Sequence, residues 1–126
     1  MSFCTAVNCM DGRVQRPVID YLCAFFKTDH VDMITEPAPV RVLASDPESE
    51  QSASIYRRID LSIEVHHSSG IAVVAHHDCA RNPTSKERQL QDLRESVVAV
   101  RSRFPDVPVV ALWIDDEWSV QGITDW

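Results

Sequence analysis

The sequence predicts an α/β protein: a three-layer α/β/α domain on a mainly parallel sheet, with an antiparallel strand at one edge. Three observations predict it. Short apolar, strand-like segments alternate along the chain with longer stretches of helical period. One of those segments, Ile71–Ala75, is apolar without interruption, as a central parallel strand covered on both faces must be. Helix-start and turn signals fall between the segments, not inside them.

Each element has its own warrant. Phe3–Cys9 reads as the first strand, and Asp11-Gly12 as the turn after it. Pro17 suits the first turn of a helix running to about Lys27, with Val18, Leu22, Phe25 and Phe26 as its apolar stripe. His30 is expected in a surface loop, and Val31–Thr35 as a second strand. Glu36-Pro37-Ala38-Pro39 breaks the pattern, and Val40–Leu43 resumes regular structure of unassigned type. Ser45 and Glu48 are spaced as a capping box for a helix to about His67, with Ile55, Ile59 and Ile63 inward. After the strand Ile71–Ala75, Thr84 and Glu87 repeat that capping pattern. The helix they open carries Leu90, Leu93, Val97, Val100 and Phe104, and Pro105 ends it. Val109–Ile114 is the next buried strand; Asp115-Asp116-Glu117 turns the chain, and Trp118–Ile123 pairs back antiparallel. The expected order is β-α-β-α-β-α-β-β, in one domain over residues 1–126.

The bulk properties exclude several function classes. Hydrophobic residues make up 44% and charged residues 25%, ordinary for a globular chain. A net charge of −7 opposes nonspecific binding to nucleic acid or to anionic membrane, both of which need a basic patch. It leaves room for a small anion held by one local arginine. The runs Ile71–Ala75 and Val107–Ile114 are too short to span a bilayer. Phe3–Cys9 is too short for the apolar region of a signal peptide, and no basic residue precedes it. The expectation is a cytoplasmic protein whose Cys4, Cys9, Cys23 and Cys79 are reduced.

Two motifs carry the chemistry. Cys9-Met10-Asp11-Gly12-Arg13 follows the first strand, and His76-His77-Asp78-Cys79 follows the third. Parallel strand ends share one edge of the sheet, so motifs far apart in sequence converge there. Cys9, His76 and Cys79 offer two thiolates and an imidazole, a donor set for zinc with a fourth position free. Asp11 is placed to take that position, and Arg13 to hold Asp11 away by a bidentate pair. His77 either faces solvent or contacts the site from behind its ligands; Asp78 reads as a turn residue. His66 and His67 close a helix and are given no catalytic role.

The pair Cys-x-Asp-x-Arg and His-x-x-Cys resembles the signature of the β-class carbonic anhydrases. The element order from about Phe3 to Ile123 is similar to that family's, as is the segment Ala111–Asp115 to its last core strand. The resemblance implies zinc-dependent hydration of CO2 to bicarbonate. It implies Cys9, His76 and Cys79 as zinc ligands, and Asp11 and Arg13 as the catalytic pair, with Asp11 on zinc in a resting form. The chain departs from the family at Gly12, usually Ser, and at Ala75 and Ala80, usually Gly. Glu36-Pro37-Ala38-Pro39 stands where the family has Ala-Gly-Asn. The family's N-terminal helical arm, and much of its helical insertion after the second motif, are not recognisable; those parts help form its dimer and wall its cleft. Two alternatives therefore stay open: hydrolysis of COS or CS2, and zinc binding without turnover. A homodimer or larger homo-oligomer is expected, with Trp113, Trp118 and Trp126 available to an interface or, alternatively, to the core.

Overall fold

Strand β1 (Phe3–Cys9) is buried on both faces along nearly its whole length, which makes it the spine of the sheet. The computed structural model describes residues 1–124; Trp126 lies outside the described residues. Strand β2 (His30–Glu36) pairs parallel with β1 on one side and β3 (Ile71–His76) pairs parallel on the other. Strand β4 (Val109–Ile114) continues the parallel sheet beyond β3, and β5 (Val120–Ile123) closes it antiparallel. The order is β2-β1-β3-β4-β5.

The side-chain alternation of the strands sorts the core into two faces. Helix α1 (Gln15–Phe26) sets Val18 and Leu22 against Cys4, Ala6, Ala72, Val74 and Leu112. Helices α2 (Pro39–Ser45), α3 (Glu50–His66) and α4 (Lys86–Arg103) cover the other face. There Leu43, Ile55, Ile59, Leu93 and Val97 pack on Val7, Ile34, Val73, Ala111 and Trp113. This is the three-layer α/β/α arrangement expected. Burying each of these Leu, Ile and Val side chains is worth roughly 1.5–3 kcal/mol. None of the helices among the described residues is long and apolar enough to cross a membrane.

Several local expectations are corrected. Val40–Leu43 is helical, inside α2, with Pro39 at its first turn, where a missing N–H costs nothing. That helix takes up Ser45, and Pro47 prevents its continuation through Asp46. The cap of α3 therefore moves one turn on: Ser49, not Ser45, accepts from the Ser52 amide at 3.2 Å. The cap of α4 likewise is Ser85, accepting from the Arg88 amide at 3.1 Å, and Thr84 lies outside it. His30 is the first residue of β2, paired with Phe3, not a loop residue. Phe25 faces solvent at 52% exposure and stacks on Tyr21 instead of joining the buried stripe. The strand β5 is shorter than expected, beginning at Val120 and leaving Trp118 in the turn. Trp113 is core, 3% exposed, so it is not available to an interface.

Gly70 joins α3 to β3, and its backbone passes directly against the ring of Phe26; a Cβ there would collide with that ring. Gly70→Ala is expected to destabilise the fold by about 1–3 kcal/mol through overpacking. Urea denaturation checks it, and Gly70→Ala combined with Phe26→Leu should recover part of the loss.

Candidate metal centre

The chain reverses direction in the sheet at β1. From β1 it runs through α1 to β2, then crosses the opposite face through α2 and α3 to β3 on the far side of β1. The carboxyl ends of β1 and β3 therefore flank the switch point, where an open α/β sheet leaves a crevice. Cys9 ends β1 and His76 ends β3. Cys79 follows in the turn after β3, which bends back through Asp78 in the left-handed region at φ 58°.

The three side chains meet. Their donor atoms lie within 4.8 Å of one another, and all three residues are buried. His76 is 1% exposed, and its Nδ1 lies 2.6 Å from the His77 carbonyl oxygen. That contact places the proton on Nδ1, which donates, and leaves the Nε2 lone pair free. The Nε2 atom is buried and makes no hydrogen bond. A buried ring nitrogen without a partner, beside two thiols, fits a soft-donor metal site.

The electrostatics agree. The adjoining Cys79 thiol draws the Cys9 thiol down to about 4, against burial and with help from His76 and the backbone of Ala38 and Asp11. Cys79 is pushed up by Cys9 and by burial. A cation bound between the two sulfurs would displace their protons. Burial opposes charge on His76, but the neighbouring Cys9 sulfur, the His77 carbonyl and Asp11 outweigh it and raise its pKa.

Asp11 is not among the converging donors; it lies on Arg13. Arg13 Nη2 donates to Asp11 Oδ2 at 2.7 Å, and Nε donates to both carboxylate oxygens at 3.1 and 3.2 Å. The Arg13 amide also donates to Asp11 Oδ1 at 2.9 Å. Arg13 holds the Asp11 carboxyl down at about 2, so it is an acceptor only at neutral pH. The loop between them is pinned from behind. Gln15 Nε2 donates to the carbonyls of Cys9 and Asp11, both at 2.8 Å, and the buried Asn8 donates to Val14 O at 3.0 Å.

Sequence reasoning missed four contributors. Asp78, read only as a turn, accepts from Arg13 Nη1 at 3.2 Å and, through its carbonyl, from Nη2 at 3.3 Å. Trp118 lies over the Arg13 guanidinium, 4.3 Å from Cζ to the ring centroid. Gln15 holds the first loop, and the buried Gln89 donates to the His76 carbonyl at 2.9 Å. Only Gln89 had a signal, as a polar residue on the inward face of an amphipathic helix. His77 is exposed at the rim, its ring 6.4 Å from that of Trp118. His66 lies at the end of α3, paired with Asp32 at 2.7 Å and away from the centre. A cleft of about 370 Å³ opens beside the cluster, lined by Cys9, Met10, Asp11, Pro37, Ala38, Ala80 and Arg81.

These features define a metal-capable α/β protein with its donors at the switch point of a doubly wound sheet. Residues 1–124 match a family model described as "Putative carbonic anhydrase", and the chain belongs to that family. Among solved structures the fold is similar to a carbonic anhydrase from Glaciozyma antarctica, at 14% identity and a TM-score of 0.61, covering 95% of this chain and 80% of that one. It is similar to a tetrameric β-carbonic anhydrase from Sordaria macrospora, at 9% identity and 0.60, covering 98% and 81%. A β-carbonic anhydrase from Aspergillus fumigatus aligns at 11% identity and 0.54, covering 97% and 74%. At these identities the likeness is one of fold. No curated protein sequence matches significantly.

Proposed function

We propose that this protein hydrates CO2 to bicarbonate at a zinc ion held by Cys9, His76 and Cys79, with Asp11 and Arg13 as the catalytic pair. One observation carries the reading: an unpartnered, buried His76 Nε2 beside two thiols, next to a carboxylate that an arginine holds to one side. Two thiolates and an imidazole nitrogen suit zinc and leave a fourth position. Bound zinc supplies Lewis acidity and brings the ionisation of water toward neutral pH.

The chain's own residues do the rest. Asp11, always ionised near neutrality, accepts a hydrogen bond and orients the attacking oxygen. Arg13 fixes the plane of Asp11 and keeps it off the metal. Met10, Pro37, Ala38 and Ala80 give the cleft an apolar wall suited to a small neutral gas. Arg81 at its mouth offers a cation to the anionic product. Hydration releases one proton, and the exposed His77 is positioned to pass it to buffer. The reading requires reduced thiols, hence a reducing compartment such as the cytoplasm.

The purified protein is expected to hold about one zinc per chain. Cys9→Ser and Cys79→Ser should each lose most of it and lower the melting temperature, because metal binding is coupled to folding. Metal analysis beside thermal unfolding decides, and full retention in both variants sinks the ligand assignment.

Arg13→Ala should keep its zinc but release Asp11 to compete for the fourth position. Stopped-flow hydration should then fall by about a hundredfold or more, as on loss of a key transition-state group. A wild-type protein inert toward CO2 across about pH 6 to 9 would move the reading to COS or CS2 hydrolysis, or to a zinc site without turnover.

The assembly is proposed to be a homodimer or larger. Leu61 and Val65, both 60% exposed, form an apolar stripe on α3 beside the open edge strand β2. Ile19 and Phe25 project from α1. Sedimentation at micromolar concentration should show a dimer or larger; a monomer alone refutes this.

A further inference from the structure

The backbone of Trp118 is strained. Its φ is 61°, in the left-handed region that bulky residues rarely occupy. The turn around it is held so tightly that the strain persists. Asp115 Oδ1 accepts from the amides of Glu117 and Ser119 at 2.9 and 3.0 Å, and Asp115 Oδ2 accepts from Gln121 Nε2 at 2.8 Å. The Trp118 amide donates to the Asp115 carbonyl at 3.0 Å. Strain held in this way is a reason to look for what the side chain does.

The indole covers the face of the Arg13 guanidinium at 4.3 Å, with ring centroids 6.5 Å from His76 and 6.4 Å from His77. The in-plane donors of Arg13 are taken by Asp11 and Asp78. Its side chain is nonetheless 46% exposed. An ion pair that open to water is screened, and its long side chain is free to move. Covering one face of the guanidinium removes water there and adds a cation–π attraction.

We infer that Trp118 is a positioning residue: it clamps Arg13 from above so that Arg13 keeps Asp11 turned away from the Cys9, His76 and Cys79 donors. The inference rests on the reading of Asp11 and Arg13 as the catalytic pair. It adds a third holder, from the β4–β5 turn, that the two sequence motifs do not contain. Asp78 holds the edge of the guanidinium, and Trp118 fixes its tilt.

Trp118→Gly tests this cleanly. Glycine accepts a positive φ, so the substitution removes the indole and relieves the backbone at once. Trp118→Phe restores a ring face. In the zinc-loaded wild-type protein the ring current should shift the Arg13 Nε–Hε NMR signal upfield and slow its exchange with water. In Trp118→Gly that signal should return to an ordinary position and exchange quickly, while zinc stays near one per chain. Hydration kcat should fall by about tenfold, the scale of losing an outer-shell partner. The rising limb of the pH profile should move to higher pH, because a freed Asp11 competes with hydroxide. Trp118→Phe should recover most of both. An Arg13 signal that Trp118→Gly leaves in place overturns the clamp. So does a displaced signal with unchanged kcat and pH profile. If the wild type lacks CO2 hydration, the visible spectrum of the cobalt-substituted protein supplies the second readout. A pH-dependent spectrum that Trp118→Gly makes insensitive to pH supports the clamp even though the activity reading has failed; identical spectra overturn it.

Discussion

A buried imidazole nitrogen with no partner is the constraint on which the rest of this structure depends. His76 is almost fully enclosed, its Nδ1 is committed to the His77 carbonyl, and its Nε2 meets only the neighbourhood of two sulfurs. Leaving a buried polar atom unpaired costs on the order of 1–3 kcal/mol. A cation held by the three donors would remove that cost and neutralise thiolate charge that burial otherwise opposes. The fold brings the donors there through topology alone. With β1 and β3 adjacent and parallel, any residues that end both strands must be neighbours. Gln89 and Gln15 then tie the strand end and the first loop from behind, so the donors have little room to relax.

What the sequence made legible follows from this geometry. Cys9 and His76 stand where apolar runs stop, so period and spacing sufficed to bring them together. The faces of the helices were readable for the same reason: Ile55 and Ile59, or Leu93 and Val97, repeat at helical spacing and are buried. Caps were less legible, because Ser45 and Thr84 have a glutamate three residues on, whereas the serines that do cap, Ser49 and Ser85, do not. The choice fell to whether the preceding residues had already been used, as Ser45 was by α2. The contacts of Trp118 and Asp78 with Arg13 were not legible, although Asp78 does lie in a turn as its sequence context indicated. Their role depends on left-handed backbone at φ 61° and 58° and on partners far along the chain, and no local pattern records either.

The charge distribution separates the surface from the site. The chain as a whole carries −7. Around the carboxyl edge of the sheet, however, Arg41 and Arg81 stand together, with Arg41 Nη1 donating to the Arg81 carbonyl at 2.7 Å. An acidic protein repels polyanions at long range, where the net charge dominates, yet tolerates a small anion where one guanidinium is near. Arg13 is spent on Asp11 and Asp78, which leaves Arg81 as the cation facing the cleft.

The positions at which the chain departs from the family pattern bear on what that cleft can select. Gly12 has open space where a Cβ would lie, so packing does not demand glycine there. Ala75 is enclosed in the core, whereas Ala80 lines the cleft beside Cys9, where its methyl narrows the wall. An apolar wall sorts neutral triatomic molecules by size and little else, and one methyl-sized difference is worth only about 1–3 kcal/mol. CO2, COS and CS2 are linear and neutral alike, so the wall alone discriminates among them weakly. Stronger discrimination has to come from polar contacts that only one reaction satisfies. The Asp11 carboxylate, which lines the same cleft as Cys9, is held as an acceptor by Arg13. An acceptor fixed in that way favours an attacking oxygen that still carries a hydrogen. That oxygen is the same whether the carbon attacked belongs to CO2, COS or CS2, so the contact does not separate the three. Under the proposed reading the Asp11–Arg13 pair therefore governs the attack itself, and choice among the three molecules is left to the weak discrimination of the wall.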